Sequence, residues 1–374
     1  MTNSLYRFRS DLGTVQTYRT VLTLEALSER YGVPVDQWVK LNQNENPYGP
    51  APEALTPLGP AEMLRYPDPA SSRLREALAE YCGVDAVQIV CGAGGDEIID
   101  VIFRLFVDPG DEVINCPPTF GFYPVAAKLN RATLVNVART DRFQLDVDGI
   151  ARAVTDRTKL ILLCSPNNPT GNSAEPEDVR RVCAMGIPVL LDEAYVEFAR
   201  QNLLAFQAEF SHLMVVRTFS KWAGLAGLRI GYGVFEPELA DTIRAIRPPY
   251  TVNAAADAAA TAAVLNRGSL LATVERIRHD RDRLIAELEG NAVIHAWPSD
   301  TNFVYCTMTG MCPAETVFEE LLKRGVIVRL FANPDAIRIT VGTEAEIAHF
   351  LEALRDLSAN VSRGTLAATK GDAP

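Results

Sequence analysis

Between Val87 and Val234 the chain carries short, continuous apolar runs, each ending at a polar or glycine-rich turn. Runs of this kind are the pattern of strands buried on both faces. They predict strands at Gln88–Cys91, Glu112–Cys116, Thr133–Val137, Lys159–Cys164, Pro188–Asp192, Val215–Thr218 and Ile230–Val234. Helical periodicity lies between most of them, as from Asp96 to Val107. Such alternation implies an α/β fold, a three-layer α/β/α arrangement around a mostly parallel sheet. In open sheets of this type a ligand sits beyond the carboxyl ends of the strands.

The flanks read differently. Residues 1–40 start polar and then predict a helix over Leu22–Tyr31. Leu41–Pro50, rich in Asn, Pro and Gly, is a loop, and Leu64–Pro69 is a second one fixed by prolines. Ser72 is placed to cap a helix ending at Tyr81. Pro248-Pro249-Tyr250 breaks the alternation and marks a change of domain. A helical region over Ala254–Leu288 follows, with an interruption near Gly268. Strands at Phe303–Cys306, Val326–Arg329 and Ile337–Thr340 then mix with helices at Ala314–Arg324 and Glu344–Leu357. The expected organisation is an N-terminal arm with part of a small domain (1–45) and a large domain (46–250). A smaller α+β domain (251–358) and a disordered tail (359–374) complete it.

Composition narrows the partners. The net charge of −11 over 374 residues argues against nucleic acid or an anionic membrane. No apolar run approaches the ~20 residues of a membrane span. The N-terminus has no apolar export segment. Seven cysteines, odd in number and without a Cys-x-x-Cys pair, fit a reduced, cytoplasmic protein. Four scattered histidines form no metal-binding pattern, so no metal site is expected.

The chemistry concentrates at the strand ends. Val215–Thr218 leads into Ser220 and Lys221, a Gly-rich turn, and Arg229. A lysine at the end of a buried strand loses its proton readily and can form a Schiff base. A hydroxyl and a guanidinium beside it suit one phosphate. An aldehyde trap next to a phosphate site describes pyridoxal 5′-phosphate (PLP). Asp192 closes another apolar strand, where an acid is costly without a partner, and a basic ring nitrogen is such a partner. Tyr195 and Asn168, on two strand-end loops, can reach the ring's 3′ oxygen. Phe120 follows a further strand and offers a face to stack on the ring. The turn Gly92–Gly95 departs from Gly-x-Gly-x-x-Gly at Glu97, yet a Gly-rich turn opening a helix can hold a phosphate with its amides.

The segments Asn44-Glu45-Asn46-Pro47-Tyr48-Gly49-Pro50, Arg65-Tyr66-Pro67-Asp68-Pro69, Gly95-Asp96-Glu97, Pro117-Pro118-Thr119-Phe120-Gly121 and Ser165–Gly171 carry a family likeness. Asp192-Glu193-Ala194-Tyr195, Arg217–Tyr232, Thr301-Asn302-Phe303, Gly325–Arg329 and Arg338-Ile339-Thr340 extend it. The chain resembles the fold type I PLP-dependent aminotransferases, most closely the histidinol-phosphate aminotransferases, over about Tyr18–Leu357. The resemblance implies the PLP fold type I, with the cofactor in the large domain. It implies Lys221 as the Schiff-base lysine, Asp192 on the pyridine nitrogen, Asn168 and Tyr195 on the 3′ oxygen, and Phe120 on the ring face. Backbone at Gly95 and Asp96, with Thr218, Ser220 and Arg229, would hold the phosphate, joined by Tyr66 from a second subunit. Arg338 would bind the substrate's anionic end, with Arg329, Tyr18 and Asn46 on the same side. The implied reaction is ping-pong transfer of an amino group from L-histidinol phosphate to 2-oxoglutarate, in a homodimer with shared sites. The rivals are an aromatic or other amino-acid aminotransferase and a PLP-dependent decarboxylase of a phosphorylated amino acid. Trp222 departs from the family, which usually has a small residue there, and is expected near the substrate side.

Overall fold

The computed structural model describes residue 9 and residues 22–55, 59–332 and 335–362, so Tyr18 lies outside the described residues. The strands are β1 Val39–Leu41, β2 Ile89–Gly92, β3 Glu112–Asn115, β4 Thr133–Asn136, β5 Thr158–Cys164 and β6 Val189–Asp192. They continue as β7 Leu213–Thr218, β8 Gly231–Val234, β9 Ile294–Ala296, β10 Phe303–Met308, β11 Val326–Ala332 and β12 Asp335–Thr340. A seven-stranded sheet has the order β2-β8-β7-β6-β5-β3-β4. Only β8 runs against its neighbours. A five-stranded sheet has the order β1-β11-β12-β10-β9.

Alternation along each strand of the large sheet feeds two separate cores. Ile161, Leu163, Leu213 and Val215 face one, and Leu160, Leu162, Met214 and Val216 face the other. The helix Gly95–Phe106 covers the second face with Ile98, Ile99, Ile102 and Phe103. The first face is covered in part by the helices Ser72–Cys82 and Ala254–Leu265. Both faces are thus closed, which is why the strands read as unbroken apolar runs. The strand order reverses between β5 and β3, so a crevice opens at their carboxyl ends.

Several boundaries move. Thr23, not Leu22, opens the first helix: its Oγ1 accepts the Ala26 amide at 3.3 Å, and the helix is Leu24–Tyr31. Ser72 is the first helical residue rather than the cap. Asp68 accepts the amides of Ser72 at 2.8 Å and Ala70 at 2.9 Å instead. The helical interruption falls at Asn266, between Ala254–Leu265 and Arg267–Leu288. Residues just past Tyr250 do not join the small domain: Ala256, Ala260, Val264, Val274 and Ile277 pack in a core of the large sheet. The small-sheet core begins at Leu284, so the change of core lies inside the helix Arg267–Leu288. Residues 359–362, expected to be tail, belong to the last helix, Glu344–Ser362, which buries Val361, and residues 363–374 lie outside the described residues. β1 and β9 escape prediction because each has three residues, too few to show a period.

One glycine is demanded by close approach. A Cβ at Gly231 on β8 would stand 2.6 Å from the Gly95 amide nitrogen and 2.9 Å from the Arg217 carbonyl oxygen. These are backbone atoms and cannot swing aside. Gly231→Ala is expected to lower unfolding stability by about 1–3 kcal/mol, read as a shifted urea midpoint. It should also weaken any ligand held at Gly95. A midpoint equal to wild type would show that the strand and the turn can part without cost.

Candidate active site

The carboxyl ends of β3, β5, β6 and β7 open into a cavity of about 550 Å³. Gly95, Asp96, Phe120, Asn168 and Asp192 line it, and so do Tyr195, Thr218, Ser220, Lys221, Arg229 and Arg338. Loops far apart in the chain therefore meet where the sheet topology directs them.

One end is built for an anion. Glu97, the residue that breaks the glycine motif, accepts the Ala93 amide and so closes the turn before the helix Gly95–Phe106. The amides of Gly95 and Asp96 open that helix and have no acceptor within it. The positive end of the helix dipole adds to them. Thr218 Oγ1 donates to Ser220 Oγ at 2.9 Å, so the two hydroxyls sit together beneath the helix end. Arg229, in the left-handed region at φ 53°, turns its guanidinium back over them. It reaches Asp96 Oδ2 at 3.0 Å and Ser220 Oγ at 3.5 Å.

The other end holds a buried acid. Asp192 ends β6 at 5% exposure. The Tyr123 hydroxyl donates to its Oδ2 at 2.8 Å and the Ala194 amide to its Oδ1 at 3.0 Å. Burial outweighs both bonds and pushes the carboxyl up to about 6. Between the two ends stands Lys221, whose Nζ donates to the Gln43 carbonyl at 3.1 Å. Burial, and then the positive charge of Arg338, lowers its amine to about 8. The Tyr195 ring lies 5.9 Å from that Nζ, and its phenol is raised by burial. Phe120 borders the cavity edge-on to Tyr123, with centroids 5.5 Å apart.

On the small-domain side, Arg338 of β12 is 7% exposed and lies 5.0 Å over the Phe303 ring. The guanidinium donates to Asn168 Oδ1 and to the Asn42 carbonyl, the latter at 2.9 Å.

Three expected residues do not line the cavity, and a fourth falls outside the described residues. Tyr66 is 81% exposed and stacks on Tyr250 with centroids 4.7 Å apart. Asn46 turns away: its Nδ2 donates to the Trp222 carbonyl at 3.0 Å and its Oδ1 accepts the Tyr48 amide. It braces the backbone next to Lys221 rather than facing a substrate. Arg329 stands opposite Arg338 on β11, one strand further out. Tyr18 is outside the described residues. Trp222 also moves: it is wholly buried against Tyr81 at 5.9 Å and Phe219 at 5.8 Å, in the core under the sheet. It fills space left by other side chains and does not reach the substrate side.

Other residues at the site had no assigned role. Tyr123 looks like a core aromatic in the helix Phe122–Leu129, yet it carries the hydroxyl that holds Asp192. Asn44 looks like turn chemistry, yet its Nδ2 donates to the Tyr195 hydroxyl at 2.8 Å. Glu193 and Arg217, next to Asp192 and Thr218, form an ion pair at 2.6 Å with side chains 1% and 3% exposed. A buried glutamate and arginine on neighbouring strand ends was the one signal in sequence that could have found them.

An anion cup, an aromatic wall, a half-neutral lysine and a buried carboxylate lie in one cavity. That donor set fits a phosphorylated pyridine aldehyde: the cup for the phosphate, the carboxylate for a basic ring nitrogen. The family described as aminotransferase class I and II matches residues 36–354. The chain belongs to that family, whose members are PLP-dependent transaminases on the type I fold. It is 42% identical to the histidinol-phosphate aminotransferase of Roseiflexus castenholzii, over 94% of this chain and 98% of that protein. It is 38% identical to the chloroplastic histidinol-phosphate aminotransferase 1 of Arabidopsis thaliana, over 93% of this chain and 85% of that one. The crystal structure of the Sinorhizobium meliloti histidinol-phosphate aminotransferase in complex with pyridoxal-5′-phosphate superposes with a TM-score of 0.84 at 27% identity. It covers 96% of this chain and 100% of that one.

Two pH-linked outcomes follow from the displaced groups. The amine of Lys221 is neutral above about pH 8, so capture of an aldehyde by the cofactor-free protein should rise with pH to a midpoint near 8. Removing a positive charge raises that midpoint, so Arg338→Met should shift it upward in stopped-flow binding of PLP; an unmoved midpoint would dissociate the two groups. For Asp192 the folded value, about 6, stands above the ordinary 3.8. Its contribution to stability is therefore full below pH 4 and lost as pH rises through 6. Asp192→Asn should stabilise the cofactor-free protein by roughly 1–3 kcal/mol at pH 8 while cutting turnover heavily. A less stable variant would show that the carboxylate is well solvated in the fold.

Proposed function

We propose that this aminotransferase takes its amino group from L-histidinol phosphate and passes it to 2-oxoglutarate in histidine biosynthesis, by a ping-pong cycle. The observation that carries the reading is Arg338 in the cavity, with Arg329, itself outside the lining, in register with it on the neighbouring strand β11. Residues directly opposite share one face of a sheet. One guanidinium suffices for a carboxylate, whereas two suit a phosphate monoester of charge about −2. The names of the relatives, 38–43% identical over most of the chain, point the same way.

Bound PLP supplies an aldehyde that condenses with amines and a protonated ring that draws electrons from the carbon losing its proton. The residues divide the remaining work. Gly95 and Asp96 amides, Thr218, Ser220 and Arg229 would hold the phosphate. Asp192, fixed by Tyr123 and Ala194, would keep a proton on the ring nitrogen. Its own value near 6 leaves it charged at neutral pH, as that pairing needs. Asn168 and Tyr195 would hydrogen-bond the ring oxygen, and Phe120 would cover the ring. Nζ of Lys221 would take the proton from the amine-bearing carbon of the donor. Its value near 8 suits a base working at neutral pH. Arg338 binds the anionic end of the donor or of the keto acid, so both halves of the cycle depend on it.

The active unit is a homodimer with shared sites. Exposed Leu55, Met63, Leu64 and Tyr66, between 66% and 83% open, support a covering subunit. Tyr66 then completes the phosphate cup of the other copy. Seven free cysteines support a reducing, cytoplasmic setting. No described helix is long and apolar enough to cross a membrane.

Lys221→Ala is expected to lose the yellow absorbance of bound cofactor together with turnover. Arg338→Ala should damage both half-reactions in single-turnover measurements. Arg329→Ala should lower kcat/KM for L-histidinol phosphate by about 10–100-fold, the worth of a charge-assisted hydrogen bond, and affect phenylalanine less. An equal loss for both donors, or a wild-type preference for phenylalanine, would leave an aromatic transaminase as the answer. Release of carbon dioxide without glutamate would make it a decarboxylase.

A further inference from the structure

Asn44 occupies an unusual place in the chain. It sits in the left-handed region at φ 55°, 1% exposed, between the small sheet and the cavity. Four hydrogen bonds fix it. Its amide donates to Thr340 Oγ1 at 2.9 Å, and that hydroxyl donates back to Asn44 Oδ1 at 3.1 Å. Its carbonyl accepts Asn302 Nδ2 at 3.0 Å. The fourth bond runs from its Nδ2 to the Tyr195 hydroxyl at 2.8 Å.

The direction of that fourth bond matters. Thr340 Oγ1 thus accepts the Asn44 amide and donates to Asn44 Oδ1. With Oδ1 facing that hydroxyl, the group facing Tyr195 is the NH2, a donor only. A phenol that accepts from an amide keeps its own hydrogen for a different acceptor. Tyr195 borders the cavity with Asn168 and Lys221, and its ring is pinned edge-on to Phe303 with centroids 5.2 Å apart. With the ring pinned and one side of the oxygen taken, the hydrogen turns to the cavity.

We propose that Asn44 is a positioning residue that makes Tyr195 a donor toward the cofactor's ring oxygen. The inference rests on the reading of Tyr195 given above. Its orientation is set from the small sheet, by Thr340 on β12 and Asn302 just before β10, while Tyr195 follows β6 of the large sheet. Thr340 lies two residues beyond Arg338, on the same face of β12. The strand that offers a guanidinium to the substrate thus also sets the polarity of a hydrogen bond at the cofactor.

Two variants test this without disturbing the backbone. Asn44→Asp keeps the shape but presents only acceptors, so Tyr195 donates to it and its hydrogen leaves the cavity. Asn44→Gly removes the side chain and adopts φ 55° at no steric cost. The readout is the pH titration of the absorbance of the cofactor-loaded protein, with Tyr195→Phe alongside. A donor on the ring oxygen stabilises its anionic form, so losing the donor raises the midpoint. Tyr195→Phe and Asn44→Asp should each raise it by about one pH unit. Asn44→Gly should raise it by less, since the phenol is then undirected rather than reversed. Unchanged midpoints in both Asn44 variants, with Tyr195→Phe shifted, would overturn the proposal. So would a shift in Asn44→Asp alone, which reports only the added charge. If Tyr195→Phe itself leaves the midpoint unmoved, the reading of Tyr195 falls, and this proposal with it.

Discussion

Two ionisable groups kept out of water set the terms for everything around them. Asp192 and Lys221 are each drawn toward neutrality, one to about 6 and the other to about 8. An acid and a base in that state are chemically useful and energetically awkward. The fold meets the cost by enclosing them from both sides. The large sheet supplies apolar strands that end at the cavity, and the small sheet brings Arg338 and the residues that hold Asn44. Neither sheet alone makes the environment that shifts both groups.

The ends of β6 and β7 must also stay in register, because Asp192 sits on one and Thr218 on the other. The adjoining residues see to this. Arg217 donates to Glu193 through Nε and Nη2, at 2.9 and 2.6 Å, and to Asn202 at 2.7 Å. Glu193 in turn accepts the Leu203 amide at 3.0 Å. A buried pair this well bonded adds little net stability over an apolar pair, but breaking it costs about 3–5 kcal/mol. Its effect is on geometry: it clamps two strand ends from beneath while their cavity-facing neighbours take a ligand.

Much of this was legible in the sequence, for a physical reason. A polar residue closing an apolar run stands out, because burial there is costly without a use. Lys221, Asp192 and Ser220 were visible on that ground, and they line one cavity with Arg338, which the resemblance named. Asn44 and Tyr123 were not. Asn44 hides in a turn-forming stretch and finds its partner Thr340 at a separation of 296 residues. Tyr123 hides in an apolar helix, where only the three-dimensional position of Asp192 gives its hydroxyl a purpose. Asn46 and Trp222 misled in the opposite sense: the family resemblance put them near a substrate, and packing turned them inward. The domain boundary slipped because a proline-rich break marks a change in local pattern, whereas a core is defined by which side chains meet.

The pairing of β1 with β11, Val39 against Val326, has a consequence for the order in which the protein is made. The large sheet draws its strands from residues 89–234 and can be paired as soon as that stretch has left the ribosome. The small sheet cannot close until strands from the far end of the chain arrive to meet one from near the beginning. Bringing such distant segments together is the slow part of folding. Residues 39–44 therefore wait through most of synthesis with their partners not yet made. During that interval Lys221 lacks the Arg338 guanidinium that lies beside it in the finished fold. The site is completed late, with the last strand, so a chain that stops before β12 holds the large-sheet side of the cavity and lacks the arginine that completes it.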